Sequence, residues 1–247
     1  MALTKVQGEG VGTLAGDTTT LTLEDTSSHS ANTGPAISFK SKDSGGTTRE
    51  VAKIVGESHS GSNEGNLAFQ TRNGGTLETK WKIFKNGNML PSNSAYGIYL
   101  GTTSVSDSNL LDDYEEGTAT LAFSSSGSTF QYSYQIAFYT KVGRNVHLVC
   151  YMQLDGGGNS FTSNTLSITG LPFTSINNAG HQATTACRLR LVNLGSSFTH
   201  LMATIGSNTT DVGLLQIGDN VAPGTIGANG LSSSSGQVMF SLSYVAA

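Results

Sequence analysis

Apolar and polar residues alternate along most of the chain with a period of two, the repeat of a strand and not of a helix. In residues 144–154, Val146, Leu148, Cys150, Met152 and Leu154 fall on one parity, while His147, Tyr151 and Gln153 fall on the other. The final run, Gln237–Val245, repeats the pattern with Val238, Phe240, Leu242 and Tyr244 on a single side. Six further runs, at residues 118–123, 129–142, 165–169, 183–194, 200–205 and 212–217, are separated by Gly, Ser, Asn or Pro. Together they predict an antiparallel β-sandwich, jelly-roll-like, over residues 118–247.

Between residues 36 and 90 the runs are shorter and thinner: Ile37 and Phe39, then Val51 to Val55, Leu67 and Phe69, then Trp81, Ile83 and Phe84. The breaks Asp43-Ser44-Gly45-Gly46, Asn73-Gly74-Gly75 and Asn86-Gly87-Asn88 supply the positive-φ and side-chain-capped positions that hairpins need. The pattern predicts a four-strand meander with one to three large apolar residues per strand. A sheet so thin is marginal by itself, and self-association is the remedy the pattern suggests. Residues 1–35 hold one expected strand, at 18–24, where Leu21 and Leu23 alternate with threonines; it too requires a partner. Residues 91–117 read as a connector with a short strand at 97–100.

Composition agrees with an all-β chain. Hydrophobic residues make up 36% of the 247, charged residues 12%, and there are 31 glycines amid long Ser/Thr/Asn runs. Such residues favour turns and pleated surfaces over helices. Disorder is disfavoured by the 19 aromatic residues, the net charge of only −4 and the alternation itself. That mild acidity, with no basic stripe beyond Arg188 and Arg190, excludes a general nucleic-acid footprint. No stretch approaches the roughly 20 apolar residues needed to span a bilayer, and the opening MALTKVQGEG has no signal-peptide pattern. Cys150 and Cys187 lack metal-ligand spacing and are expected to be buried thiols.

Candidate chemistry is sparse. Asp112, Asp113, Glu115 and Glu116 form the only carboxylate concentration, but a local run neither flanks a groove nor supplies the alternating ligands of a calcium loop. His29, His59, His147, His181 and His200 are scattered, with no pair at metal-ligand spacing. No serine sits in GxSxG, and no GxxxxGK[ST] loop is present. Neither catalysis, a metal nor a cofactor is therefore expected. What remains is surface. Tyr132 and Tyr134 are expected to lie away from the core, where sugar rings or a neighbouring subunit would stack on them.

Two segments resemble tailed-bacteriophage tail-fibre and receptor-binding virion proteins. The first runs from Ile37-Ser38-Phe39 through Glu50-Val51-Ala52-Lys53-Ile54, Gly65 to Thr71 and Asn73-Gly74-Gly75 to Trp81-Lys82-Ile83-Phe84-Lys85-Asn86-Gly87-Asn88, and is similar to a shaft-associated β module. The second joins Leu111-Asp112-Asp113-Tyr114-Glu115-Glu116-Gly117-Thr118, Tyr139 to Arg144, and Ile168-Thr169-Gly170-Leu171-Pro172-Phe173, and resembles the distal β-sandwich of marine-phage fibres. The resemblance implies a homotrimer made in the host cytoplasm and carried on the virion. Residues 1–35 would attach it to a tail adaptor or the capsid, 36–90 would form the base, and 118–247 would face a host surface glycan or protein. A capsid decoration or projecting knob is the alternative. Asn159 and Ser160, Asn178 and His181, and Asn208 lie in polar loops expected at the exposed tips, and with Tyr132 and Tyr134 they form the candidate contact set.

Overall fold

The computed structural model describes residues 23–25, 30–58, 64–100, 103, 110–111 and 113–247. Most of the expected strand at 18–24 lies outside these residues, and its described end, Leu23 and Glu24, is not in a strand. The chain divides into two compact units, Met1–Tyr96 and Gly97–Ala247, and every sheet pairing in both is antiparallel.

In the first unit the turns fold the chain back on itself four times. Ala36–Lys42 (β1), Thr48–Ser58 (β2), Gly65–Asn73 (β3), Thr76–Ile83 (β4) and Met89–Pro91 (β5) lie side by side in sequence order. The expected meander thus has a fifth strand, because the Asn86-Gly87-Asn88 break closes a hairpin, with Gly87 at φ 86° and Phe84 donating to the Asn88 carbonyl at 2.8 Å. Register places Ile37, Ile54, Phe69, Trp81 and Pro91 in one row across all five strands, with Leu67, Ile83 and Met89 in the next. Paired residues share a face, so this side of the sheet is apolar. None of these side chains is fully buried: Ile37, Leu67 and Met89 are 44, 37 and 56% exposed. The opposite face carries the buried Val55 and Ala68 together with Glu57, a buried carboxylate ion-paired to Lys82 at 2.6 Å.

The second unit builds two sheets. After a short pair formed by Ile98–Tyr99 (β6) and Leu110–Leu111 (β7), Tyr114–Thr118 (β8) pairs with Tyr132–Val142 (β10). The last residues of the expected connector are therefore strand. Asn145–Leu154 (β11), Gln237–Val245 (β18) and Arg188–Arg190 (β14) complete a sheet of order β14-β18-β11-β10-β8. Ala122–Ser124 (β9), Ser167–Thr169 (β12), Ala183–Ala186 (β13), His200–Ile205 (β15) and Asp211–Ile217 (β16) form the other, of order β13-β15-β16-β12-β9, with Gly224–Thr225 (β17) beside β16. The single run expected at 183–194 is divided at Cys187: its first half pairs with β15 in one sheet, its second with β18 in the other.

The inward parities of both sheets meet in one cluster. Val146, Leu148, Cys150, Met152 and Leu154 of β11, Val238, Phe240, Leu242 and Tyr244 of β18, and Leu201, Ile205, Val212 and Leu214 of the facing sheet all belong to it. Burying each large side chain stabilises the unit by roughly 1.5–3 kcal/mol. Tyr244 hydrogen-bonds to both backbone groups of one residue, donating to the Phe173 carbonyl at 3.0 Å and accepting from its N–H at 3.3 Å. Both cysteines are free thiols; Cys150 is buried, whereas Cys187, at the crossing between sheets, is half-buried and not fully enclosed as its sequence suggested.

Gly170 has φ +97°, and a Cβ there would lie 2.4 Å from the Thr120 carbonyl oxygen. Gly170→Ala should therefore cost about 1–3 kcal/mol and lower the midpoint of this unit by roughly 3–10 °C in scanning calorimetry. Gly157→Ala, which meets open space at negative φ, should leave it unchanged. Burial pushes both thiols up from the ordinary 9.0 to about 12. Below pH 9 the folded and unfolded chains both hold these protons; above it only the unfolded thiols ionise, so stability should fall as pH rises from 9 towards 12. Urea midpoints measured across that range check this: a Cys150→Ala/Cys187→Ala variant should lose the slope between pH 9 and 10 and keep a shallower one above it, where Tyr244, pushed from 10.0 to about 12 by burial, still contributes.

Candidate binding surfaces

Strand β10 determines which aromatics meet solvent. Tyr132 pairs with Leu154 and Tyr134 with Gln153, so Ser133 is an extra residue, a β-bulge. Two residues apart on a regular strand would share a face; the bulge separates them. Tyr132 turns inward, contrary to its expected outward placement: its ring stacks on Phe123 at 6.0 Å and 18°, and its hydroxyl accepts the Phe123 N–H at 2.6 Å. Burial raises its pKa. Tyr134 does lie outward, 50% exposed and stacked on Tyr151 at 5.5 Å and 20°.

From Tyr134 the outward parity of β10 continues through Ile136, Phe138 and Val142, which are 40, 56 and 46% exposed, and is joined by Val149 of β11 and Tyr114 of β8. This side of the sheet is a second apolar surface with no cover in its unit among the described residues, of the kind that marks an interaction face. Its β18 side is polar: His147 lies within hydrogen-bond distance of the Ser243 and Ser241 hydroxyls, at 3.0 and 3.2 Å.

The carboxylate run does not converge. Glu115 and Glu116 are consecutive on β8 and take opposite faces, Glu115 accepting from Tyr139 and Glu116 from Tyr114, while Asp113 is ion-paired with Lys141. Both phenols are raised in pKa, chiefly by these hydrogen bonds to carboxylates. The Tyr139 ring covers Gly117, where a Cβ would lie 2.6 Å from its hydroxyl. Asp112 lies outside the described residues, as do His29 and His59. Among the described residues no three His, Cys, Asp or Glu side chains group as metal ligands, and no helix is long and apolar enough to cross a membrane.

The candidate loop residues fall at opposite ends of the second unit. Asn159 and Ser160 lie where β11 ends and β10 begins. Asn159 is wholly engaged: its carbonyl oxygen accepts from the Gln131 N–H at 2.7 Å, and its amide donates to the Asp155 and Ser233 carbonyls, each at 2.8 Å. Ser160 exchanges backbone hydrogen bonds with Thr129. Asn178, His181 and Asn208 sit at the other end, beside Val245 and the Asp113 entry; the Ile176 carbonyl accepts from the Asn178 and Asn208 N–H groups at 3.0 and 3.1 Å. Asn178 caps its own turn through Gly180, Asn208 holds φ +50°, and the His181 Nε2 is enclosed without a hydrogen-bond partner. The seven candidates therefore form no single site.

A crevice lined by Leu191, Asn193 and Asn229 was not legible from the sequence. Leu191 looked like an ordinary strand residue, and nothing in a leucine announces its φ of +53°. The turn run Ala228-Asn229-Gly230 was the available signal.

Fold and surfaces together define an all-β protein of antiparallel sheets that exposes apolar faces and polar loops. No protein-family model, no curated protein and no solved structure matches the chain.

Asn159→Ala should destabilise the second unit by about 1–3 kcal/mol in urea titration, since it strands two carbonyls and an N–H. Asn178→Ala, which removes one exposed contact to Gly180, should cost under about 1 kcal/mol in the same titration.

Proposed function

We propose that the chain is a non-enzymatic structural protein of a tailed-phage particle, a homotrimeric tail fibre or receptor-binding protein whose C-terminal unit is a jelly-roll-like β-sandwich directed at the host surface. The observation that carries the reading is the uncovered apolar face of the five-stranded sheet. A sheet must bury such a face against another layer, and within its unit the row Ile37, Ile54, Phe69 and Trp81 has none among the described residues. Copies of the same chain supply it around a threefold axis, the closed arrangement in which each subunit contributes the same surface. The outward face bearing Tyr134, Ile136 and Phe138 supports the same packing in the second unit. The resemblance of both segments to fibre modules supports the location on a virion, with the N-terminal region as the attachment to tail adaptor or capsid.

Within the second unit, the chain enters the two larger sheets at Asp113, and the Gln131, Asn159 and Ser233 loops lie at the far end. That end is the one suited to host contact.

Light scattering on the purified chain should give about three times its 25.6 kDa mass, and Ile37→Asp with Phe39→Asp should reduce it to a single-chain mass. A stable monomer of the unaltered protein would sink the trimer. In adsorption assays the trimer should compete with phage for host cells; a protein that binds capsids and never cells would belong to a capsid decoration instead.

A further inference from the structure

Leu191 holds a left-handed backbone, φ +53°, with its side chain 52% exposed. For a bulky residue this conformation costs on the order of 1–3 kcal/mol and persists only where neighbours impose it. Here they do. The Leu191 carbonyl accepts from the Ser232 N–H at 3.0 Å, Val192 bridges Leu231, and Asn193 donates from its backbone to the Gly230 carbonyl at 2.7 Å. The strain keeps an apolar side chain fixed at the rim of a concavity.

Two adjoining depressions of about 380 and 210 Å³ share Asn193, Asn229 and Gly230. The larger is at the small end of the roughly 300–1,000 Å³ typical of ligand pockets. Glycines keep the floor open: a Cβ on Gly227 would sit 2.6 Å from Asn229 Oδ1, and one on Gly230 would sit 2.9 Å from the Asn193 carbonyl oxygen. Asn193 and Asn229 are exposed, and neither side-chain amide hydrogen-bonds another described residue, in contrast to Asn159. No residue lining either depression is titratable.

An amide presents a donor beside an acceptor, and a pair of neighbouring hydroxyls presents the complement. An uncharged lining offers no counter-charge to a phosphate or carboxylate, while Leu191 and Val192 provide an apolar strip for the C–H face of a sugar ring. We infer that this crevice binds one or two rings of a neutral saccharide. The inference rests on the receptor-binding reading and names its ligand class and its residues.

Saturation-transfer NMR on the full chain tests it, with galactose, glucose, mannose, rhamnose and N-acetylglucosamine as neutral probes and sialic acid, inorganic phosphate and a Ser/Gly peptide as counter-probes. At least one neutral sugar should bind. Asn193→Ala/Asn229→Ala should weaken it at least tenfold, and Asn145→Ala, at the exposed start of β11 beside Val245, should not. Leu191→Gly, which relieves the left-handed strain, should keep or raise the thermal midpoint and still weaken the sugar. Binding of the counter-probes alone, or of no probe, or of a sugar equally by the double variant, overturns the crevice. Host-cell adsorption separates the two readings: if chain and double variant adsorb equally, the crevice is wrong and receptor binding stands, whereas a chain that adsorbs to no cell removes both.

Discussion

A sheet has two faces, and what covers each of them governs this molecule. In residues 97–247 a second sheet provides the cover, so Leu148, Met152 and Leu242 are closed from water and the unit has a core of its own. In the sheet of residues 36–91 the same period-two rule generates an apolar row that no second layer of that unit covers among the described residues. One rule of alternation thus yields one unit with a closed core and one with an open apolar face, and the proposed assembly rests on that difference.

Irregularities in the strands then decide what the surfaces offer. The bulge at Ser133 turns Tyr132 into a core residue hydrogen-bonded to Phe123 and leaves Tyr134 outside against Tyr151. The break at Cys187 sends one run into two sheets, and just beyond its second half Leu191 adopts the left-handed backbone that shapes the crevice. Both features re-aim side chains that a regular strand would have pointed elsewhere.

This explains what the sequence disclosed. Strands β11, β15 and β18 were readable to the residue because parity and burial coincide along them, as Val146 to Leu154 illustrate. The hairpin turns of the first unit were readable from Gly and Asn. The Ser133 bulge was not, since an extra residue leaves no compositional trace, and with it the fate of Tyr132 was hidden. β17 and β5 escaped because two or three residues carry too little periodicity. Among the candidate contacts, Asn159 and Asn208 had the same chemistry in the sequence; only tertiary hydrogen bonding distinguishes a loop pin from a free amide and puts the two at opposite ends.

The end-to-end separation of those loops has an evolutionary side. The segments meeting at the far end, around Gly127, Gly157, Asn164 and Ser233, are joined to the sheets only through strand termini, while the Asp113 entry and the Val245 end of β18 lie at the other end. Lengthening the exposed tip of a far-end loop, with the Asn159 pin and the Phe161 packing kept, leaves the core and the entry strand intact. Under the proposed receptor-binding role, such an arrangement would let a recognition surface diversify on an unchanging frame.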